Sequence, residues 1–276
     1  MPARDSLPGV TDLPPESEIG PFRVQLDAGG IASVVFSHPP VNAFSIEVYE
    51  ALGQMADAIG ASDNVRVVVL SAPPDARAWC GGADLNDFVG ITPEGRKQRY
   101  AFINRTLPRL YELDRPVIAA INGSAVGIGV ILAASCDIRV ASDTAFFACP
   151  EIDYGLVAGG AGLFAWLKMP EGRVREMLYT GRRFSAAELS DTGFFNYVVP
   201  RDDVVPKAME IAGLIAQKSL PALKARKVAS NALEGLSWYD AYLLSQRASA
   251  SLASGEDGQE GVRAFLEGRE PRFRNA

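Results

Sequence analysis

The chain has 276 residues, 48% apolar and 22% charged, and its 27 Lys and Arg against 33 Asp and Glu give a net charge of −6. That length fits one large domain or a domain with a small appendage, and about 75% of the unfolded surface can be buried without help from disulfides or metal. The acidic balance argues against a nucleic-acid partner, and no run approaches the ~20 apolar residues of a membrane span.

Cys80, Cys136 and Cys149 lack the spacing of a zinc site or a disulfide framework, so reduced thiols in a cytoplasmic protein are expected. His38, in a Ser-His-Pro-Pro stretch, is the only histidine. Ser-His-Asp and Cys-His chemistry and histidine-bound metal are therefore set aside, and no metal site is expected.

Residues 1–20 hold four prolines and four acids with no apolar signal-peptide region, and read as a disordered extension. Phe22, Val24 and Leu26 then alternate, Asp27 to Gly30 turns, and Ile31 to Phe36 completes a hairpin. Ser45 caps a helix whose Val48, Leu52, Met55 and Ile59 share one face. Val65 to Leu70 is a nearly unbroken β-branched run, as suits a strand covered on both faces. A loop to about residue 90 follows, then a helix around 94–113, a strand at 116–121, a glycine-rich turn into a helix at about 127–135, and strands near 136–141 and 145–149. This rhythm predicts an α/β core with right-handed crossovers, spanning residues 21–200. From about residue 201 to 276 the pattern is helical only.

Three stretches carry candidate chemistry. In Ala78-Trp79-Cys80-Gly81-Gly82-Ala83-Asp84-Leu85 the small residues permit close backbone approach to a ligand, or simply close a strand. In Ile121-Asn122-Gly123-Ser124-Ala125-Val126-Gly127-Ile128-Gly129 a strand gives way to a helix, whose first N–H groups have no intrahelical partner. As a dinucleotide fingerprint that turn fails at Leu132, where Gly or Ala is wanted, and Gly160-Ala161-Gly162-Leu163-Phe164-Ala165 lacks a clear preceding strand. In the third, Phe146 to Leu156, Glu151 follows an apolar strand. It is placed either to be desolvated into an acid or base or to be salt-bridged at the sheet's edge.

Taken in order, these stretches resemble the crotonase superfamily of enoyl-CoA hydratases and isomerases. The resemblance starts at Pro39-Pro40-Val41-Asn42-Ala43-Phe44-Ser45 and runs through Gly82-Ala83-Asp84, Asn122 to Gly127, Cys136 to Ser142 and Pro150-Glu151-Ile152. It continues through Thr180 to Ala186 and ends on Glu260 to Glu267. It implies a spiral of ββα units with a C-terminal helical trimerisation region, and a homotrimer or hexamer. The implied substrate is an acyl-CoA thioester, coenzyme A entering as part of it and no cofactor being permanently bound. By motif position the Ala83 and Ile128 N–H groups would hold the thioester oxygen and Glu151 would be the acid/base. Val41, Ala43, Gly81, Asp84, Leu85, Gly127, Pro150 and Tyr154 would line the substrate. The resemblance also points to Arg269 for a CoA phosphate, and to the 94–113 helix and the C-terminal helices for the far wall.

One departure stands out. Hydratases of this superfamily hold water between two glutamates, and the position of the first is Ile131 here. Dienoyl-CoA isomerases place a carboxylate where this chain has Gly159. A single acid/base, with Asp153 and Tyr154 as candidate helpers, points to double-bond isomerisation over hydration. The alternatives are an acyl-CoA hydrolase or decarboxylase of the same superfamily, or a catalytically silent acyl-CoA-binding subunit.

Overall fold

The computed structural model describes residues 12–159 and 168–274. The first strand, β1 (Glu16–Ile19), pairs antiparallel with β2 (Phe22–Leu26), which pairs with β3 (Ile31–Phe36). The extension expected to be disordered through residue 20 therefore includes a strand at its end, where Glu16 to Ile19 find an open sheet edge. Residues 1–11 lie outside the described residues. The short β4 (Ala43–Phe44) leads into α1 (Ile46–Ala61), which buries Val48, Leu52, Met55 and Ile59 as their spacing requires.

From there each turn of the chain lays one strand in each of two sheets and then a helix. β5 (Val67–Ser71), β6 (Ala78–Cys80) and the two-residue β7 (Gly82–Ala83) precede α2 (Pro93–Thr106) and α3 (Pro108–Tyr111). β8 (Val117–Ile121) and β9 (Ser124–Val126) precede α4 (Ile128–Ala134), and β10 (Ile138–Ser142) and β11 (Phe146–Ala148) follow. Two departures from the expected elements have simple causes. The loop expected from Leu70 to about residue 90 contains β6 and β7, which are held by pairing with β9 and β4 respectively. The 94–113 helix breaks at Pro108, which lacks the N–H needed to continue the ladder.

The chain then forms α5 (Glu171–Thr180), β12 (Phe184–Ser185), α6 (Ala186–Ser190) and β13 (Tyr197–Val199). Four helices close it: α7 (Val204–Ala216), α8 (Leu220–Leu233), α9 (Trp238–Leu252) and α10 (Glu256–Glu267). The larger sheet runs β1-β2-β3-β5-β8-β10-β13 and is parallel from β3 onward; the smaller runs β12-β11-β9-β6.

Strand periodicity divides the core between the two faces of the larger sheet. Val68, Leu70, Val117, Ala119 and Ile121 face the main core, whereas Val67, Val69, Ile118 and Ala120 pack against Val204, Ala208 and Ile211 of α7. Every residue of β5 and β8 is buried, which is why these segments read as continuous apolar runs. Each such aliphatic side chain contributes about 1.5–3 kcal/mol. Close packing brings α4 onto β6: a Cβ on Gly129 would lie 2.7 Å from the Cys80 carbonyl oxygen. The ends of β6, β9 and β11 thus converge beside the start of α4.

Candidate active site

These strand ends open on a cavity of about 510 Å³. Gly81, Gly82 and Ala83 line it after β6, Gly127, Ile128 and Ile131 from the turn into α4, and Pro150 and Glu151 after β11. Arg96, Arg99, Tyr100 and Ile103 of α2 add a further wall.

Gly127 has φ +54°, which disfavours any side chain, and its N–H donates to the Ala148 carbonyl at 2.8 Å. The peptide turns there, and Ile128 becomes the first residue of α4, where N–H groups lack intrahelical acceptors. On the other loop the Asp84 N–H donates to the Phe44 carbonyl at 3.0 Å. Alternation along a strand directs the preceding N–H, that of Ala83, the opposite way.

Glu151 lies in a single 3-10 turn, Pro150–Tyr154, ended by Gly155 at φ +66°. Its carboxyl is carried back against Gly127, and burial raises its pKa above the ordinary 4.5, outweighing a hydrogen bond from its own backbone N–H. Its Oε2 is buried and has no hydrogen-bond partner among the described residues. Among the described lining residues it is the only carboxyl, and Ile131, 5% exposed, presents a hydrocarbon surface to the same space.

Other expected contacts fall differently. Gly81, Leu85, Gly127, Pro150 and Tyr154 line the cavity, but Val41, Ala43 and Asp84 do not. Val41 and Ala43 stand behind the lining, the Val41 carbonyl accepting from Gly81 N–H at 2.8 Å and Ala43 pairing with Gly82. Asp84 caps the 3-10 turn Leu85–Phe88, its carboxylate accepting from Asn86 N–H at 2.9 Å. Asp153 is also outside the lining and points toward α5, so close that a Cβ on Gly181 would lie 2.8 Å from its Oδ2.

Arg269, expected at a CoA phosphate, is paired within its own helix region in the single chain. Its guanidinium is bonded to both oxygens of Glu260, at 2.6 and 3.0 Å, and to Glu267 at 2.6 Å. None of the four closing helices lines the cavity among the described residues, so the expected far wall is α2 without them. Gly159 does line it, without the carboxylate of dienoyl-CoA isomerases, and a Cβ there would press on the Tyr100 hydroxyl and require that side chain to shift. Gly160-Ala161-Gly162 lies outside the described residues.

His38 plays a structural part, its Nδ1–H donating to the Ala43 carbonyl at 2.7 Å and its backbone N–H to Asn42 Oδ1 at 2.7 Å. The three cysteines are buried, and desolvation pushes the Cys80 and Cys136 thiols up to about 12 and Cys149 up as well. They are therefore poor nucleophiles. No group of three or more potential metal ligands occurs among the described residues, and none of their helices is long and apolar enough to cross a membrane.

Sequence reasoning did not single out Tyr49, Phe88, Arg96, Arg99 or Tyr100. The available signal was the Arg96, Arg99, Tyr100 spacing of three and four residues, which places all three on one helical face.

Comparison with known proteins adds the following. Residues 27–276 match the family model for enoyl-CoA hydratase/isomerase. The human mitochondrial enoyl-CoA hydratase domain-containing protein 3 is 33% identical over 262 residues, 93% of this chain and 84% of its own. Carnitinyl-CoA dehydratase of Proteus mirabilis is 32% identical over 252 residues, 89% of this chain and 95% of its own. The crystal structure of an enoyl-CoA hydratase from Mycobacterium smegmatis superposes with a TM-score of 0.88 at 27% identity, covering 92% of this chain and 98% of that one.

Proposed function

The chain belongs to the enoyl-CoA hydratase/isomerase family, and from that premise we propose that it moves a double bond within an acyl-CoA thioester, with Glu151 as its acid/base. The observation that carries this reading is the pairing of one desolvated carboxyl, Glu151, with a hydrocarbon, Ile131, in the same cavity.

In this reaction the ionised Glu151 takes a proton from Cα of a 3-enoyl-CoA. The electron pair of the C–H bond moves into the thioester as an enolate, placing negative charge on the carbonyl oxygen. The Ala83 and Ile128 N–H groups would donate to that oxygen, each such donor being worth about 2.7–4 kcal/mol. The protonated Glu151 then returns its proton to Cγ, and the double bond reforms between Cα and Cβ. One carboxyl suffices because the same proton leaves and returns. A raised pKa favours the first transfer by bringing the base closer in strength to the carbon acid. Hydration would require a second group to hold and split water, and Ile131 cannot do so.

The test is turnover of a 3-enoyl-CoA and of crotonyl-CoA by the native protein and by Glu151→Gln. Isomerisation that exceeds hydration and disappears in Glu151→Gln is the expected result. Brisk hydration of crotonyl-CoA, lost in Glu151→Gln, would keep Glu151 as the acid/base and overturn the preference for isomerisation.

A further inference from the structure

Among the described residues, three buried side-chain polar atoms lack a hydrogen-bond partner: Ser17 Oγ, Glu151 Oε2 and Arg99 Nη2. The last two belong to residues that line one cavity. A buried unpartnered group is costly unless a ligand completes it, and for a charged group the cost is larger. Two other buried cations among the described residues are bonded. Arg115 donates from Nε, Nη1 and Nη2 to the carbonyls of Val65, Gly60 and Ser62, and Lys227 Nζ bonds Asp137 at 2.6 Å.

Arg99, 7% exposed, is held in a defined orientation. Its Nη1 bonds Asp87 Oδ2 at 2.6 Å, and its guanidinium carbon lies 4.8 Å from the Phe88 ring centroid and 5.7 Å from that of Tyr49. One edge of the planar fork is thus committed to Asp87 while Nη2 keeps its donors. A second cation reinforces the wall. Arg96 also lies over Phe88, at 4.7 Å, and donates to the Tyr100 hydroxyl at 3.2 and 3.0 Å. Asp87 is the only carboxylate bonded to either guanidinium among the described residues. An acidic chain of net charge −6 therefore surrounds a cavity with a positive wall.

An unbranched hydrocarbon tail would leave Arg99 Nη2 desolvated and unpaired, whereas a carboxylate would complete it with a charge-assisted hydrogen bond. We propose that the acyl chain taken by this cavity carries a distal carboxylate, so that the substrate is the CoA monothioester of a dicarboxylic acid, bound through Arg99. The proposal rests on the reading of the cavity as an acyl-CoA site and adds the chemical class of the acyl group.

The test is calorimetric binding of freshly prepared saturated thioesters, which have no double bond to move, in isosteric pairs: succinyl-, glutaryl- and adipyl-CoA against 4-methylpentanoyl-, 5-methylhexanoyl- and 6-methylheptanoyl-CoA. Within each pair the tails match in shape and differ in charge. In the native protein at least one dicarboxylic member is expected to bind about 10-fold or more tighter than its partner. In Arg99→Met that ratio should fall to near one, and in Asp87→Asn, which removes the competing charge, it should rise. Reading a ratio within each protein cancels any general loss of affinity. It also separates an acyl carboxylate from a CoA phosphate as the anion at Arg99, since both members of a pair carry the same phosphates. If Arg99→Met does not fold, the rise in Asp87→Asn decides. Equal affinities within every pair, or a preference untouched by both substitutions, would overturn the carboxylate and leave the acyl-CoA reading standing. Failure of every thioester to bind the folded native protein would overturn both.

Discussion

Gly127 and Glu151 are packed so closely that a Cβ on Gly127 would lie 2.8 Å from Glu151 Oε1. Glycine at this position thus meets two demands, the positive φ of the turn and the approach of the carboxyl. Gly127→Ala should strain the turn by about 1–3 kcal/mol and displace Glu151 from its place beside the α4 start. We expect a lowered melting temperature and at least about a 10-fold fall in kcat, because a misplaced base loses much of its catalytic assistance. Full activity in a destabilised Gly127→Ala protein would separate the turn from the chemistry.

The raised pKa of Glu151 gives a second expectation. Its folded-state value exceeds the ordinary 4.5 because burial disfavours the anion. The folded protein therefore binds this proton more tightly than the unfolded chain. The group's stabilising contribution is fully present below that ordinary value and is lost as pH rises through the folded value. Glutamine does not titrate. The melting temperature of Glu151→Gln relative to the native protein should accordingly increase between about pH 4 and about pH 8. Thermal melts at several pH values measure this, and a difference independent of pH would show that the carboxyl is not desolvated. The acid limb of kcat/KM should have its midpoint above 4.5 for the same reason.

The parts of the fold that were legible in the sequence are those whose own residues determine their burial. Val65 to Leu70 reads as a strand covered on both faces, and the strand found there, Val67–Ser71, is buried throughout; of the two places the sequence allowed Glu151, desolvated or salt-bridged, the structure has the desolvated one. Strands β6 and β7 were not legible, because their partners β9 and β4, distant in sequence, hold three residues and two residues in extended form. The α2 wall was hidden for a different reason. Most of its residues are polar, and it buries only Arg99 and Thr106, so hydrophobic periodicity has nothing to report. Asp84 shows the converse, a carboxylate in a motif position whose bonds go to its own turn.

The closing helices carry an expectation about assembly. In the single chain α9 has no buried residue, and Trp238, Phe265 and Leu266 are 78%, 84% and 78% exposed. Apolar area of this kind gains about 25 cal/mol per Å² on burial, and a second copy of the chain presents the same surface. Light scattering should give three or six times the 29.5 kDa chain mass. The double substitution Phe265→Glu and Leu266→Glu should shift the native assembly toward smaller species. A clean monomer of the native protein at micromolar concentration would refute the trimer.

The most decisive substitution is at Ile131. It is 5% exposed, lines the same cavity as Glu151, and belongs to α4, whose seven residues are all buried. With hydrocarbon there, the native protein should hydrate crotonyl-CoA slowly, since assistance from one positioned acid or base is worth about 10²–10⁴-fold. Ile131→Glu introduces a second carboxyl into the cavity. If it and Glu151 can hold one water between them, hydration should rise above the native rate, while isomerisation stays the same or falls. The exchange has a cost, because an ionisable group replaces a packed aliphatic one in a partly dry site, and about 1–3 kcal/mol of stability should be lost. Two like-charged groups would also raise each other's pKa, so the gain in hydration should be larger at neutral pH than in acid. The measurement is the crotonyl-CoA hydration rate across pH for the native protein, Ile131→Glu and Ile131→Gln. A rise in the glutamate variant alone would assign the native preference to this one side chain. An equal rise in both variants would mean that polarity, and not proton transfer, was what the site lacked.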